Sequence, residues 1–545
     1  MKLFYQKYIL QLFLLFMLQQ FCYSNKKHVI SLNFRNYDGT NMGIQPGDTV
    51  LIEPGLRECL RLYNIHGDSL NNVVFINDGG VVEISSLSSY LGLTIHDCTY
   101  FKLTGTGSKD IEYGIRISKT IIGTSGVSIN GTSSNYEIDH LDICNTGFAG
   151  FFVNQSPDCN NIFTRNNFVI RNISFHDNYI HNTMGEGFYV GHSFYTGYTV
   201  YCDSVKTLLY PPEIHGIKLY NNLIDSVGLD GIQVGCATKN CEIFNNKILH
   251  YGVKNESFQQ SGIQISAGTG GKCYNNLIMN GTGSGINVFG IGGNRIFNNI
   301  IINSGYAIVD TMITPNASGI FCDDRYTLPD SSFFFFNNLI ISPKRDGIRI
   351  YTNQVKNNMI CNNIILNPGS YNSYNYNLGK MISFVYKEKD VDVKISNNYF
   401  SANKPTNINF NDIYDIYNKL EKLPIENRGI DVRPYGIDID FFGNPRLEKD
   451  FCDIGVFNYS YDINSQKNSS IVKIDNAMVF NNNIYDDSEE KILQLFLYDS
   501  TGKLIYNCSP NDYYFDLKLK YSLKKGIYIL RKITNKSDRS QKIFI

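Results

Sequence analysis

The feature that most constrains the fold is a short motif that returns along most of the chain. Two asparagines stand directly before a pair of residues that is apolar in every copy except at Lys247, and an aromatic residue often precedes them. Copies lie at 220–224, 244–248, 274–278, 297–301, 336–340, 361–365 and 396–400, with a variant at 176–180. The later copies follow one another at steps of 24, 30, 23, 39, 25 and 35 residues. A unit of about two dozen residues with extra loops is typical of a solenoid.

A second motif, Gly-Ile-x-Val or Gly-Ile-x-Ile, lies between the asparagine pairs, at 231–234, 262–265, 285–288 and 347–350. Both motifs are too short for helices and alternate with a period of two, which predicts short strands. One coil of two or three strands cannot bury its own apolar side chains, so the coils must stack into parallel sheets. Asparagine suits the corners because it tolerates left-handed backbone geometry, and stacked amides can form ladders.

These repeats resemble those of right-handed parallel β-helix proteins, the pectate lyase-like superfamily. Residues 46–50, Pro-Gly-Asp-Thr-Val, are similar to the start of many such domains, and 442–446 with 453–457 resemble their closing segment. The resemblance implies an all-β chain with a solenoid at 25–460, including a closing segment at 441–460. The same scaffold hosts many chemistries, so the resemblance predicts the fold more sharply than the activity.

The two ends of the chain predict export. Residues 1–24 have the basic start and apolar core of a signal peptide, and 461–469 is a polar linker. Residues 470–545 resemble the C-terminal sorting domain of the type IX secretion system of Bacteroidota, which implies a small β-sandwich, contact with that machinery and a secreted or cell-surface location. A β-sandwich binding module is the alternative for this region. The net charge of −1 gives no basic field for nucleic acid.

Signal cleavage would leave twelve cysteines, an even number that permits disulfides in an exported chain. Cys159 with Cys202 and Cys236 with Cys241 are candidate pairs, and buried free thiols are the alternative. No spacing matches a zinc site. His176, His181 and His192 are interpreted as hydrogen-bonded structural residues.

Aligning the Gly-Ile-x-Val strands as stacked coils directs the residue x to solvent. We call this file the outward column, and its predicted members are Tyr189, Gln233, Gln264, Asn287, Phe321 and Arg349. A file of amides with aromatic and basic residues at its two ends suits a glycan that lies along the coils. The first five residues of the outward column are the predicted substrate-binding residues. An ordinary solvated sheet face is the alternative. Insertions at 154–166 and 191–212 would either line this face or cap a sheet edge.

Glu186 and Asp230 precede the glycines of two successive strands, so they are predicted vertical neighbours about 4.8 Å apart. We call them the carboxyl pair. Such carboxylates repel unless they share a proton, which gives an acid/base pair, or hold a cation such as Ca²⁺. Ordinary turn residues are the alternative. Asp323, Asp324 and Arg325 form the densest charged cluster and, with Arg349, complete the candidate catalytic set.

The sequence thus predicts a monomeric, secreted β-helix protein that engages a polysaccharide, with no nucleic-acid partner. One hypothesis is a polysaccharide lyase or glycoside hydrolase acting on an acidic glycan. The other is a non-catalytic surface protein for carbohydrate binding or adhesion. Charges gathered under the 191–212 insertion favour the enzyme, and charges scattered along the solenoid favour the binding protein.

Overall fold

The structure is a computed structural model. It describes residues 25–306, 317–328, 330–351, 354–369, 379–385, 391–446, 451–461, 492–499, 504–508, 527–534 and 538–544. The chain divides into two compact units, Met1–Lys473 and Ile474–Ile545. The predicted signal peptide and all of the predicted linker after residue 461 lie outside the described residues.

The first unit is a parallel β-helix with three faces, and its strands are numbered along the chain. Face A contains the Gly-Ile-x-Val strands: β2 (Asn36–Asp38), β5 (Leu60–His66), β8 (Leu93–Thr104), β10 (Val127–Asn130), β13 (Phe151–Val153), β16 (Phe188–Val190), β21 (Ile232–Val234), β24 (Ile263–Ile265), β27 (Ile286–Val288), β30 (Ile320–Cys322), β33 (Ile348–Ile350) and β36 (Ile382–Phe384). The long strand β8 bends and pairs with strands of both face A and face B.

Face B contains the strands that end at the asparagine pairs: β1 (Lys27–Ile30), β3 (Thr49–Ile52), β6 (Val73–Asn77), the second half of β8, β11 (Ser134–Asp139), β14 (Val169–His176), β19 (Glu213–Tyr220), β22 (Lys239–Phe244), β25 (Lys272–Tyr274), β28 (Arg295–Phe297), β31 (Phe334–Phe336), β34 (Asn358–Cys361) and β37 (Val393–Ser396). Face C contains the strands that follow those pairs: β4 (Gly55–Arg57), β7 (Val82–Ser85), β9 (Ile115–Lys119), β12 (Leu141–Cys144), β15 (Tyr179–His181), β20 (Leu223–Val227), β23 (Lys247–Tyr251), β26 (Leu277–Met279), β29 (Ile300–Ile302), β32 (Leu339–Ile341), β35 (Ile364–Leu366) and β38 (Tyr399–Ser401).

The asparagine corners form the single vertical file that the repeat predicts. The backbone N–H of Asn221 donates to Phe244, that of Asn245 to Tyr274, and that of Asn275 to Phe297. The first asparagine of each pair is left-handed, with φ of 55° at Asn221 and 54° at Asn245. The second asparagine points inward and forms an amide ladder. It runs through Asn178, Asn222, Asn246, Asn276, Asn299, Asn338, Asn363 and Asn398.

The core is the apolar interior of the coils. One isoleucine or valine from each face points inward, as Ile232, Ile243 and Ile248 do in a single coil, each at most 1% exposed. Their burial is the main stabilising term, because one coil alone would leave them open to water above and below.

The two insertions are tied together beside face A. Cys159 and Cys202 form a disulfide, as the sequence allowed. The second insertion folds as an antiparallel hairpin of β17 (Tyr198–Cys202) and β18 (Val205–Leu209). The guanidinium of Arg165, from the end of the first insertion, lies 3.9 Å from the ring centre of Tyr195. The second predicted disulfide, Cys236 with Cys241, is wrong, because both residues are buried free thiols.

The remaining helices are short: α1 (Gly39–Met42), α2 (Ile413–Leu420) and a 3₁₀ turn, Arg433–Tyr435. Asp412 caps α2 as the sequence indicates. The closing segment packs on the last coils through Arg446, which is 1% exposed and donates to the carbonyls of Gly455 and Val456 and to the side chain of Asn298. Within the described ranges, no helix is long and apolar enough to cross a membrane.

In the second unit, β39 (Ile492–Asp499), β40 (Leu504–Cys508), β41 (Ile527–Thr534) and β42 (Asp538–Phe544) form one antiparallel sheet in the order 40-39-41-42. A second sheet, which would complete the predicted sandwich, would fall on residues outside those described.

Candidate functional site

The outward column is present on face A in the predicted order. Strand register places Tyr189 opposite Gln233, Gln233 opposite Gln264, and Gln264 opposite Asn287. The file continues through Phe321 to Arg349. The flanking aliphatic residues point inward, so the column residues point away from the core. The strand register also adds two members that the sequence alignment missed: Phe152, on the coil before Tyr189 (below it), and Ser383, on the coil after Arg349 (above it).

Hydrogen bonds fix the lower half of the column. The hydroxyl of Tyr189 lies 2.8 Å from Ser193 Oγ, which also accepts from Gln233 Nε2 at 3.1 Å. Gln264 Nε2 in turn donates to Gln233 Oε1 at 3.1 Å. Because Ser193 opens the 191–212 insertion, this insertion is joined directly to the column. The orientation of both amides is set in this way, but Gln233 is only 4% exposed, so the expectation that it faces solvent is wrong: the insertion covers it through Ser193.

Aromatic rings gather at the lower end of the column. The ring centres of Phe152 and Tyr189 are 5.4 Å apart, and Phe148 lies 5.7 Å from Phe152. The upper end has Phe321 with Phe289 at 5.9 Å and Tyr351 at 6.0 Å. The described column therefore has aromatic groups on either side of a central amide stretch, a pattern that suits sugar rings and their hydroxyls.

The carboxyl pair lies at the corner that leads into β16 and β21. The N–H of Gly187 donates to the carbonyl of Asp230 at 3.0 Å, so Glu186 and Asp230 are neighbours in the stack as predicted. Their side chains are 2% and 0% exposed. Asp230 Oδ1 accepts from the N–H of Ser261 at 2.5 Å, whereas Asp230 Oδ2 and Glu186 Oε2 have no hydrogen-bond partner among the described residues.

This burial favours the protonated form of both carboxyls. Desolvation raises the pKa of Glu186 to about 7, and the nearby charge of Glu256 adds to that effect. Desolvation also raises the pKa of Asp230 well above its usual value, with a further contribution from Glu186. A carboxyl with a pKa close to 7 can donate or accept a proton at neutral pH.

Sequence reasoning missed the loop at 252–260, which passes beside the carboxyl pair. Its Lys254 and Glu256 act electrostatically on Glu186. At its tip Phe258 is 80% exposed and has φ of 69°, a left-handed conformation that is uncommon for a bulky residue. Such outliers often occur at ligand-binding positions. The sequence feature that could have predicted this loop is the long step of 30 residues between the asparagine pairs of 244–248 and 274–278.

The structure does not place Asp323, Asp324 and Arg325 with the carboxyl pair. They lie at the end of β30, four coils away from β16, which is roughly 19 Å at the usual strand spacing. Arg325 Nε donates to both oxygens of Asp323, at 2.9 and 2.7 Å. Asp324 Oδ2 accepts from the N–H groups of Gln354 and Val355, so it anchors a neighbouring loop.

Arg349 is also paired. Its Nη1 donates to Asp346 Oδ2 at 2.9 Å, and the same oxygen accepts from Ser383 Oγ at 2.7 Å. Asp346 Oδ1 accepts from the N–H of Lys380 at 3.0 Å. Asp346 thus offsets the positive charge of Arg349 that would attract a uronate carboxylate, and it shares the same oxygen with Arg345, whose Nε lies 3.6 Å away.

Two groups of three metal-binding side chains occur within the described ranges, and both lie outside the outward column: Asp142, Cys144 and His181, and Glu137, Asp139 and His176. The free oxygens of the carboxyl pair suit a cation as well as a proton. Calcium, however, usually takes six to eight oxygen ligands, including waters. Calcium binding by Glu186 and Asp230 stays a prediction.

Neither a protein-family model nor a curated protein matches the sequence. Solved structures with a similar chain path include a lacto-N-biosidase of family GH136 from Eubacterium ramulus (12% identity, TM-score 0.42, covering 69% of this chain and 68% of that one). A PL6 polysaccharide lyase from Pseudopedobacter saltans has 12% identity and a TM-score of 0.37, covering 67% and 92%. The pectate lyase Pel9A has 9% identity and a TM-score of 0.37, covering 79% and 96%. These values are too low to transfer an activity, and the strand pairing itself establishes the parallel β-helix.

Proposed function

We propose that this protein binds a polysaccharide along the outward column and hydrolyses it, with Glu186 as the general acid. The observation that carries this proposal is the buried carboxyl pair beside Tyr189, the first ring of the predicted column. Glu186, with a pKa of about 7, would retain a proton in part of the population at neutral pH. It would pass that proton to the glycosidic oxygen as the bond to the leaving sugar breaks. A water molecule would then attack the anomeric carbon and give its proton to the Glu186 carboxylate, which restores the acid.

Asp230 has a different part in this proposal. It is fully buried, and this burial raises its pKa and favours the neutral carboxyl, which is a poor nucleophile. Its hydrogen bond from Ser261 holds it above Glu186, where ionisation of both groups together is disfavoured. Asp230 therefore takes no part in proton transfer in this proposal and is a positioning residue beside Glu186.

Access to Glu186 requires movement, because its side chain is 2% exposed. The 252–260 loop is the segment proposed to move, since its charges already act on Glu186. Phe258 at the loop tip would then stack on a sugar ring.

Hydrolysis is preferred over β-elimination because elimination needs a cation to neutralise a uronate carboxylate. Both arginines of the candidate set are paired with aspartates, Arg325 with Asp323 and Arg349 with Asp346. A neutral glycan thus fits the column better than the acidic glycan that the sequence suggested.

A non-catalytic carbohydrate-binding protein is the second candidate. It is favoured by the separation of the charged groups into independent ion pairs on different coils. This arrangement matches the scattered charges expected of a binding surface.

One experiment separates these functions. The purified protein is incubated with neutral and uronate polysaccharides, with calcium or with a chelator, while new reducing ends and unsaturated-product absorbance are recorded. We expect reducing ends without unsaturated product, and at least a 100-fold loss in Glu186→Gln. Glu242→Gln, a half-buried glutamate of face B, is the matched control.

If unsaturated product forms only when calcium is present, the reaction is elimination and the hydrolysis proposal is wrong. Retarded migration in polysaccharide gels without any product would establish the binding protein instead. Equal activity of Glu186→Gln and the unchanged protein would remove Glu186 from the mechanism.

Export through the type IX system is proposed on the C-terminal resemblance alone. Deletion of residues 470–545 should retain the solenoid inside the cell, and sequencing the secreted protein should give a new N-terminus near residue 25. Secretion of the truncated chain would contradict this assignment.

A further inference from the structure

A second group of chemically active side chains lies on face C, away from the outward column. Cys144 of β12 stands directly opposite His181 of β15 in the strand register. Their neighbours Ile143 and Ile180 point into the core with 0% exposure, so alternation directs Cys144 and Asp142 to the outer side of the sheet.

The three side chains lie within reach of a common ion. His181 Nε2 is 3.1 Å from Asp142 Oδ1, and one ligand atom from each of Asp142, Cys144 and His181 lies within 4.8 Å of the others. Zinc bonds of about 2.0 to 2.3 Å place tetrahedral ligand atoms roughly 3.3 to 3.7 Å apart. Adjustments of about 1 Å would therefore close the site. The three residues are only 4%, 1% and 5% exposed, so they are held in place by packing.

Surrounding polar groups orient each of these three side chains. Arg116 Nε lies 3.2 Å from Asp142 Oδ2, which leaves Oδ1 directed at His181. The side-chain amide of Asn182 contacts His181 Nδ1 at 3.0 Å, so Nε2 is the nitrogen left for a ligand. Asn145 Nδ2 donates to Cys144 Sγ at 3.4 Å, and Sγ lies 3.6 Å from the carbonyl of Ser118. Outer contacts of this kind are typical of metal sites.

The other metal-binding group provides a useful contrast. Between Glu137 and Asp139 lies the ammonium of Lys102, which is 2.8 Å from Asp139 Oδ2 and also contacts Glu137. A lysine cation already occupies the position that an ion would need. At Cys144 the cation is Arg116, which lies 3.2 Å from Asp142 Oδ2 and also hydrogen-bonds the sulfur of Cys144. It does not lie between Asp142 Oδ1 and His181 Nε2, which face each other at 3.1 Å.

We propose that Asp142, Cys144 and His181 form a binding site for a divalent transition metal of the zinc type. One nitrogen, one thiolate and one carboxylate suit zinc or cobalt better than calcium or magnesium. Three protein ligands leave a fourth position for water. Arg116 offsets part of the anionic charge, so we expect weaker binding than at a four-ligand structural zinc site. This proposal does not depend on the polysaccharide proposal.

Cobalt is the probe that tests the site. Purified full-length protein is stripped with a chelator and titrated with Co²⁺ while the thiolate-to-cobalt charge-transfer absorption is recorded. We expect one equivalent per chain, displaced by one equivalent of Zn²⁺. Cys144→Ser should lose the charge-transfer absorption, and His181→Ala should weaken binding at least tenfold. Cys59→Ser, a buried free cysteine elsewhere in the solenoid, should bind as the unchanged protein does.

A second measurement covers the case in which a variant folds poorly. Zn²⁺ should slow the alkylation of Cys144 in the unchanged protein, as followed by mass spectrometry, and should leave the alkylation rate of Cys59 unaffected. Absence of cobalt absorption in the unchanged, folded protein would overturn the site. The same absorption in unchanged protein and in folded Cys144→Ser would overturn it too.

Discussion

The side-chain amide of Asn222 donates to Oδ1 of Asn246 at 3.0 Å, and Asn246 donates onward to Asn276 at the same distance. Each ladder amide also bonds backbone, as Asn246 Nδ2 does with the carbonyl of Leu219 at 2.9 Å. The ladder therefore satisfies the buried polar groups of the corner, which would otherwise cost about 1 to 3 kcal/mol each.

This arrangement predicts different costs for the two asparagines of one pair. Asn246→Ala leaves several buried groups without partners and should lower the free energy of unfolding by about 3 kcal/mol. Asn245→Ala keeps the ladder and loses only the tolerance of asparagine for the left-handed conformation, which should lower the free energy of unfolding by about 1 kcal/mol. Asn245→Gly should be close to neutral. Denaturant unfolding of the three variants measures the difference, and equal losses at both positions would contradict it.

The repeat could be predicted from the sequence because its causes are local. A left-handed corner, a period-two strand and a fixed coil length determine which residues stack, so Asn221, Asn245 and Asn275 fall in one file. The same logic places Gln233 above Tyr189 and Asp230 above Glu186.

Contacts that depend on loops of unequal length could not be predicted in the same way. Cys144 and His181 are 37 residues apart, and the coil that joins them contains the irregular 154–166 insertion. The ion pair of Arg349 with Asp346 depends on side-chain conformations, and nothing in the spacing shows that the arginine is neutralised. The left-handed Phe258 likewise follows from the path of its loop and not from its residue type.

The carboxyl pair predicts a pH dependence of stability. The pKa of Glu186 is about 7 in the folded chain and 4.5 as the ordinary value, so the folded state binds this proton more tightly. The contribution of Glu186 to the free energy of unfolding is fully present below about pH 4.5 and falls as the pH rises towards 7. Above pH 7 the free energy of unfolding is lower by about 3 kcal/mol. Glu186→Gln should remove this decline and be more stable than the unchanged protein at pH 8.

The measurement is a series of unfolding curves between pH 4 and pH 9 for both proteins and for Glu242→Gln. Because Asp230 also has a raised pKa, the Gln variant should retain the decline that comes from Asp230. Parallel pH profiles for Glu186→Gln and the unchanged protein would show that Glu186 is not buried as described.

The disulfide predicts a local effect. Cys159 and Cys202 join two insertions across 43 residues, and neither cysteine lies in a solenoid strand. Cys202→Ser should therefore release the insertions while the coils remain folded. Limited proteolysis should cut within 154–166 or 191–212 at least ten times faster than in the unchanged protein. Cys59→Ser is the control, and first cleavage in the coils would contradict a local role.

Neutralisation of Arg349 predicts how the column selects its glycan. Asp346→Asn removes the negative charge beside Arg349 but keeps an oxygen for the N–H of Lys380. The freed guanidinium should raise affinity for polygalacturonate by about tenfold at low salt, and this gain should shrink as salt is added. Affinity for a neutral xylan should stay unchanged. Asp431→Asn frees Arg433 from a similar pair at the 3₁₀ turn that precedes the closing segment and should leave both affinities unchanged. Two results together would contradict this prediction: tighter binding of polygalacturonate than of xylan by the unchanged protein, and no gain in polygalacturonate affinity in Asp346→Asn. The column would then recognise acidic sugars by other means, and the ion pair would not control which glycan binds.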